Sequence, residues 1–319
     1  MRWSESIALG VLWIGLGSAS APQAPRPVVS FTAVQLDSAD PAHRRVGSLT
    51  WLGGWHLQSR DPSFGGYSSL ATHDGRFMAL SDTGEYLLFG QDRKGRFAAT
   101  GFGNLPDYPG RQGIKADRDS ESMVVGPGGQ IWIGFEQYNA IYRYSAGLRA
   151  MTAHAAPPDM KDWPGNEGPE AMVRMRDGRF IVFAEGKRLP DDSTEALLFA
   201  GDPTDPAAKP IRFGYRPPDP YVAVDAQQLP DGRIIVLNRH FAIADGMWSA
   251  VTVFDPKAIK AGQTVEPKLI AEIRPPLTID NMEGLAVTIE KGRTILWMIS
   301  DDNQKPIQRT LLLKFALQI

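Results

Sequence analysis

The chain has 319 residues, 43% of them hydrophobic and 22% charged, with a formal net charge of −2. A near-neutral chain with no Lys/Arg-rich block lacks the basic footprint of a nucleic-acid binder, so no nucleic acid is expected as a partner. The absence of cysteine excludes thiol catalysis, cysteine-ligated zinc, iron–sulfur clusters and disulfides.

The chain opens with MRWSES, which carries one basic residue, Arg2. An apolar run, Ile7–Gly17, follows; it is short for a bilayer span and leads into the small residues SASA. Residues 1–21 therefore read as a secretory signal peptide, which sends the mature protein to the periplasm or the medium. Glu5 and Pro22 depart from the pattern, and the alternative is an uncleaved membrane anchor. Residues 22–27 form a Pro-rich linker, predicted to be extended. Residues 28–319 are predicted to form one domain, a monomer with no transmembrane span.

Beyond residue 28 the apolar runs are short and rich in Val, Ile, Leu, Phe and Tyr. Turn signals separate them, and no segment sustains a helical period. This predicts an all-β protein. The runs also repeat. YSSLATHDGRFMALSDTGEYLLF starts at Tyr67, DSESMVVGPGGQIWIGFEQYNAIYRY at Asp119 and EGPEAMVRMRDGRFIVFAEG at Glu167. VAVDAQQLPDGRIIVLNRH starts at Val222 and MEGLAVTIEKGRTILWMISDD at Met282. Each unit reads strand, tight turn, strand, polar loop, strand, and a further strand-like run lies between most units. A four-stranded unit at a period of roughly 50 residues is what a β-propeller blade requires. Five repeats are visible. The fifth has three strands, and the N-terminal run Gly47–Ser59 would supply its fourth and close the ring. If Val28–Leu36 and its neighbour form their own blade, the number is six.

Read as two-residue hairpins, the repeats set residues opposite one another in fixed pairs. Glu170 then faces Glu185 across the turn Asp177-Gly178, and Glu121 faces Glu136 across Gly128-Gly129. Asp225 faces Asn238 in the fourth unit. In the fifth, Glu283 faces Ser300 beside Asp301. In the first, Asp82 faces Tyr67. Longer turns would move these pairs by a residue without moving them to the other end of the hairpin. Every first hairpin therefore opens on polar or acidic groups, and a propeller gathers those ends around one mouth of its channel. Facing carboxylates repel unless a cation lies between them or one is protonated. Hard oxygen donors from several loops suit Ca²⁺, or Mg²⁺ or Mn²⁺. The candidate metal ligands are Glu121, Glu136, Glu170, Glu185, Asp225, Glu283 and Asp301. The DRDSE stretch (Asp117, Asp119, Glu121) alternates acids as calcium loops do, without an EF-hand glycine. The alternative is that these acids are solvated or bond loop N–H groups.

Among five histidines there is no HExxH motif and no close pair, which argues against a histidine-built zinc site. In VLNRH, Arg239 is a candidate clamp for a phosphate or carboxylate, or a bridge between the acids of adjacent blades. His240 beside it joins Glu170, Glu283 and Arg239 as a candidate catalytic group.

SRDPSFGGYSSL, NEGPEAM, DGRFIVFAEG and above all DNMEGLAV with GRTILWMISDDNQKPIQRTLLLKF resemble bacterial phytase-like proteins described as having esterase-like activity of phytase. The resemblance covers about Gly47 to the C-terminus and is most specific over Asp280–Phe315. It implies an exported propeller related to calcium-dependent phytases. It maps the family's recurrent acids onto Glu121, Glu170, Glu283 and Asp301, with Asn166, Asn281, Asp302 and Asn303 beside them. Tyr67 stands where the family has glycine. Asp82, Asn166, Asn238, Asn281, Asp302 and Asn303 are the candidate substrate-binding residues. The reading carried forward is an exported, calcium-dependent hydrolase of a small phosphoester or other ester. The alternatives are a non-catalytic binding propeller and a lactonase-type propeller.

Overall fold

The computed structural model describes residues 28–111, 114, 117–242 and 246–319. The predicted signal peptide, 1–21, and linker, 22–27, lie outside them. Three strands precede the first repeat: β1 (Val29–Val34), β2 (Arg45–Val46) and β3 (Leu49–Ser59). The first blade is β4 (Tyr67–His73), β5 (Arg76–Ser81), β6 (Glu85–Gln91) and β7 (Phe97–Asn104). The second is β8 (Ser120–Val125), β9 (Ile131–Phe135), β10 (Ala140–Tyr144) and β11 (Met151–Ala155). The third is β12 (Pro169–Arg174), β13 (Phe180–Arg188), β14 (Thr194–Phe199) and β15 (Ile211–Tyr215). The fourth is β16 (Val222–Gln228), β17 (Ile234–Ala242), β18 (Gly246–Phe254) and, after the short β19 (Thr264–Val265), β20 (Lys268–Ile273). The fifth is β21 (Asn281–Glu290), β22 (Arg293–Asp301) and β23 (Thr310–Leu317), completed by β3 on β23.

The protein is a five-bladed β-propeller. Within the predicted run Gly47–Ser59, β3 closes the ring as the sequence suggests, pairing Leu49 with Leu317 and Leu57 with Thr310. A sixth blade does not form. β1 and β2 both pair with β3 and extend the fifth blade outward. The first strands β4, β8, β12, β16 and β21 pack side by side around the axis.

Five apolar clusters fill the wedges between successive blades. Leu237, Val251, Leu285, Met298 and Leu313, for example, sit between the fourth and fifth, and Leu70, Phe77, Trp297 and Ile299 between the fifth and first. A middle strand is thus covered on both faces, which is why β14 reads TEALLF and is buried throughout. The outermost β11 alternates between half-buried and exposed residues because solvent covers one face, as expected for an edge strand.

The turns decide the register. Asp74-Gly75 and Lys291-Gly292 have φ of 49° and 72°, and 49° and 76°. These are two-residue turns with both residues left-handed. The other three hairpins close one residue later: the Gly126, Met175 and Leu229 N–H groups donate to the Gln130, Arg179 and Arg233 carbonyls. Their three-residue loops end on Gly129, Gly178 and Gly232, at φ of 77°, 91° and 95°, the left-handed residue such a loop needs. Each first strand then carries a bulge near its mouth end. The extra residues are Ser68, Glu121, Glu170, Val224 and Glu283.

Candidate functional site

The bulges build the mouth. A residue in a β-bulge has no direct cross-strand partner, and the local kink re-aims its side chain. Glu121, Glu170 and Glu283 stand at this position in blades two, three and five, with Ser68 and Val224 as their counterparts. At the mouth end of the second strand, within it or one residue beyond, lies a second tier: Asp82, Glu136, Glu185, Arg239 and Asp301. Each follows the residue paired ahead of the bulge: Ser81, Phe135, Ala184, Asn238 and Ser300. The two tiers bring seven carboxylates and one guanidinium together. The expectation that Glu170 faces Glu185, and Glu121 faces Glu136, as ladder partners is corrected by the bulges. The acids still meet, but through the mouth.

Arg239 is the hub. Its Nη2 lies 2.8 Å from Glu185 Oε1 and 3.8 Å from Glu170 Oε1, and its Nη1 lies 3.2 Å from Glu283 Oε1. Nη1 also donates to Asn281 Oδ1 at 3.3 Å, and Asn281 Nδ2 donates to Glu283 Oε1 at 2.6 Å. Burial works against the Arg239 charge, but Glu283, Glu170, Glu185 and Glu121 outweigh it and raise its pKa. The guanidinium therefore stays charged. The buried Nε has no hydrogen-bond partner.

One guanidinium cannot balance this many acids. Burial first, then the Glu170, Glu283 and Glu136 charges, drive the Glu121 carboxyl well above the ordinary range. Burial and Glu185 do the same to Glu170, with Arg239 opposing. Burial pushes Glu283 up to about 8 against the pull of Arg239. Burial, Asp119 and Glu185 push Glu136 up to about 8. Asp301 is pushed up to about 7 by burial, although the Asn303 N–H donates to it at 2.6 Å. Carboxylate oxygens of Asp119, Glu121 and Glu136 lie within 4.8 Å of one another, as do those of Glu136, Glu170 and Glu185. Glu136 thus belongs to two overlapping groups of hard oxygen donors, the donor chemistry a divalent cation such as calcium takes.

Some predicted residues sit elsewhere. Asp225 lies one step past its blade's bulge and is buried at the axis. Its Oδ2 accepts from the Leu285 N–H at 2.6 Å and its Oδ1 from the Ala226 N–H at 2.7 Å; the Leu70 N–H also reaches it. It ties three first strands together, and Val224 occupies the blade's acid position. Asn238 is buried inside its blade. Its amide donates to the Val236 and Ala250 carbonyls and its Oδ1 accepts from Tyr215. His240 follows Arg239 on the strand and its side chain turns the other way, with its ring 5.1 Å from Trp248 and 6.2 Å from Tyr221. Asp302 is occupied locally, accepting from the Gly66 and Gln304 N–H groups and the Thr310 hydroxyl. Asn166 is exposed on the loop before β12, and Asn303 is exposed beside the mouth. In the DRDSE stretch, Asp117 binds the Arg111 N–H and the Tyr138 hydroxyl. Asp119 joins the acids, and its i, i+2 spacing with Glu121 was the only trace of it in the sequence.

Fold and mouth together define a five-bladed propeller that concentrates buried carboxylates around one arginine. The profile of the phytase-like family, described as esterase-like activity of phytase, matches residues 62–304, and the chain belongs to this family. No curated protein matches it in sequence. Among solved structures, it is similar to virginiamycin B lyase from Staphylococcus aureus at 9% identity and a TM-score of 0.42, over 83% of this chain and 99% of that one. It is also similar to the Malassezia sympodialis allergen Mala s 1 (14%, TM-score 0.46, 86% and 91% covered). A gluconolactonase from Xanthomonas campestris is similar at 15% identity and a TM-score of 0.39, with 92% and 99% covered.

Proposed function

We infer that this chain is an exported metal-dependent hydrolase that splits an ester or phosphoester with water at the acidic mouth, with calcium as its metal. The observation that carries the reading is the two-tier ring in which seven carboxylates surround the single guanidinium of Arg239. The overlapping groups Asp119, Glu121 and Glu136, and Glu136, Glu170 and Glu185, would hold the cation, and magnesium or manganese takes the same donors. When bound, the ion supplies Lewis-acid polarisation of the ester oxygen and of a water.

The protein's own groups do the rest. Arg239 projects into the mouth with donors fixed in a planar fork, suited to holding a carbonyl or phosphoryl oxygen. Asn281 bonds both Arg239 and Glu283 and keeps the two in one orientation. With its carboxyl at about 8, Glu283 holds a proton at neutral pH and is poised to give it to the leaving oxygen. Burial and Glu185 hold a proton on Glu170; between Arg239 and the acids of blades two and three, it would become the corresponding base once a bound cation favoured its ionised form.

The test is turnover of p-nitrophenyl phosphate, carboxylic p-nitrophenyl esters and lactones, with and without EDTA, by wild type and Glu170→Gln. Ester turnover that disappears with EDTA and in the variant supports the reading. Binding without turnover points to a non-catalytic propeller, and turnover of lactones alone to a lactonase.

A further inference from the structure

Beside the mouth lies a cavity of about 390 Å³ that shares Arg239 and Asn281 with the acidic site. Its other wall is apolar, made by Phe241, Met247, Pro275, Ile279 and Ile307. Phe241 is 56% exposed and Ile307 88% exposed. With the polar groups of the mouth they line a concave site that is polar on one side and apolar on the other, the arrangement of small-molecule pockets.

The charges around the cavity limit what that ligand is. Arg239 shares its charge among three carboxylates at 2.8, 3.2 and 3.8 Å, so it can serve one substrate oxygen but not neutralise several phosphates. Arg309 is taken up by Asp280, with Nε 3.3 Å from its Oδ2. Among the described residues of the cavity wall, Lys305 is the remaining cation. A substrate carrying many phosphates would find here one shared guanidinium, one lysine, the carboxylate of Asp280 and five apolar side chains, with the acids of the mouth beyond. A molecule with one polar group and one apolar group matches both halves.

Resting on the hydrolase reading above, we propose that this cavity is the subsite for the apolar part of a monoester substrate. The ester group lies at Arg239 and Asn281, and an alkyl or aryl group packs on Phe241, Met247 and Ile307. This selects hydrophobic monoesters over polyanionic ones. Phe241 and Ile307 are specificity-determining residues, with no part in the bond-breaking step.

The probe is a series of n-alkylphosphonates, methyl to octyl, titrated calorimetrically into the intact protein in calcium buffer. Each added methylene is expected to lower the dissociation constant roughly fourfold, the factor that about 0.8 kcal/mol of burial corresponds to, until the cavity is filled. Phe241→Ser and Ile307→Ser are expected to flatten this dependence. Ile307 touches no core, so its variant keeps the fold even if the Phe241 variant does not. A flat series in wild type, an unchanged slope in both variants, or no binding by any member overturns the subsite. Turnover is read separately on p-nitrophenyl acetate to octanoate. Rising affinity without turnover leaves the subsite standing and removes the hydrolase reading. Turnover indifferent to chain length, with a flat phosphonate series, does the reverse.

Discussion

Replacing Arg239 with methionine keeps much of the side-chain volume and removes the guanidinium that, among the described residues, pairs with the mouth acids Glu170, Glu185 and Glu283. The variant loses contacts of 2.8 Å to Glu185 and 3.2 Å to Glu283, and the bond to Asn281 at 3.3 Å. Removing one partner from a buried ionic network costs about 3–5 kcal/mol because the remaining charges are left uncompensated. That figure applies where the acids are ionised. Glu283 is pushed up to about 8 and Asp301 to about 7, so at pH 5.5 both are protonated and the part of the loss that falls on the Glu283 contact shrinks to that of a hydrogen bond, about 1–3 kcal/mol. Urea unfolding in EDTA at pH 5.5 and pH 9 measures both values. The cost should be clearly larger at pH 9, and calcium should reduce it there by supplying another positive charge. An equal cost at both pH values, or a variant more stable than wild type at pH 9, would refute the account of Arg239 as the charge that holds the mouth together.

Metal-free stability should itself fall with pH. Glu136, Glu283 and Asp301 have folded values of about 8, 8 and 7 against ordinary values of 4.5, 4.5 and 3.8. The folded state therefore binds protons that the unfolded state has released. The stability this confers is complete below about pH 4 and lost as pH rises through about 8, at up to roughly 1.4 kcal/mol per pH unit for each group. Urea titrations from pH 5 to 9 in EDTA should show this decline, and saturating calcium should flatten it; stability that rises over the same range contradicts the burial of these acids. Asp225→Ala should cost about 1–3 kcal/mol for each buried N–H left unsatisfied, starting with that of Leu285. It should leave calcium affinity unchanged. A variant that folds normally but no longer binds calcium would return Asp225 to the metal site.

The repeat was legible because every blade uses the same strand–turn–strand pattern, so five weak signals reinforce one another. The convergence of Glu121, Glu170, Glu283 and Arg239 at one mouth followed from position along the hairpin, which a one-residue change of register does not disturb. The finer assignments depended on that one residue. Asp-Gly occurs both in the two-residue turn at Asp74-Gly75 and in the three-residue loop ending at Gly178, and nothing local in the dipeptide separates the two. The bulge at the mouth is equally silent in sequence. It makes Val224 and Arg239, rather than Asp225 and Asn238, the fourth blade's counterparts of Glu170 and Glu185. The same strand alternation that aims Arg239 inward turns His240 toward Trp248. Whether β1 and β2 start a blade or extend one depends on pairing with β3, a contact that their own residues do not encode.

The most direct test of the cation-holding mouth is a calorimetric calcium titration of EDTA-stripped protein, in wild type and in Glu136→Gln. Glu136 is shared by both groups of converging carboxylates, so neutralising it should weaken both. The account predicts saturable binding by wild type, with protons released as the raised carboxyls ionise, and at least a tenfold loss of affinity in the variant. No binding by wild type, or equal binding by the two proteins, would contradict it.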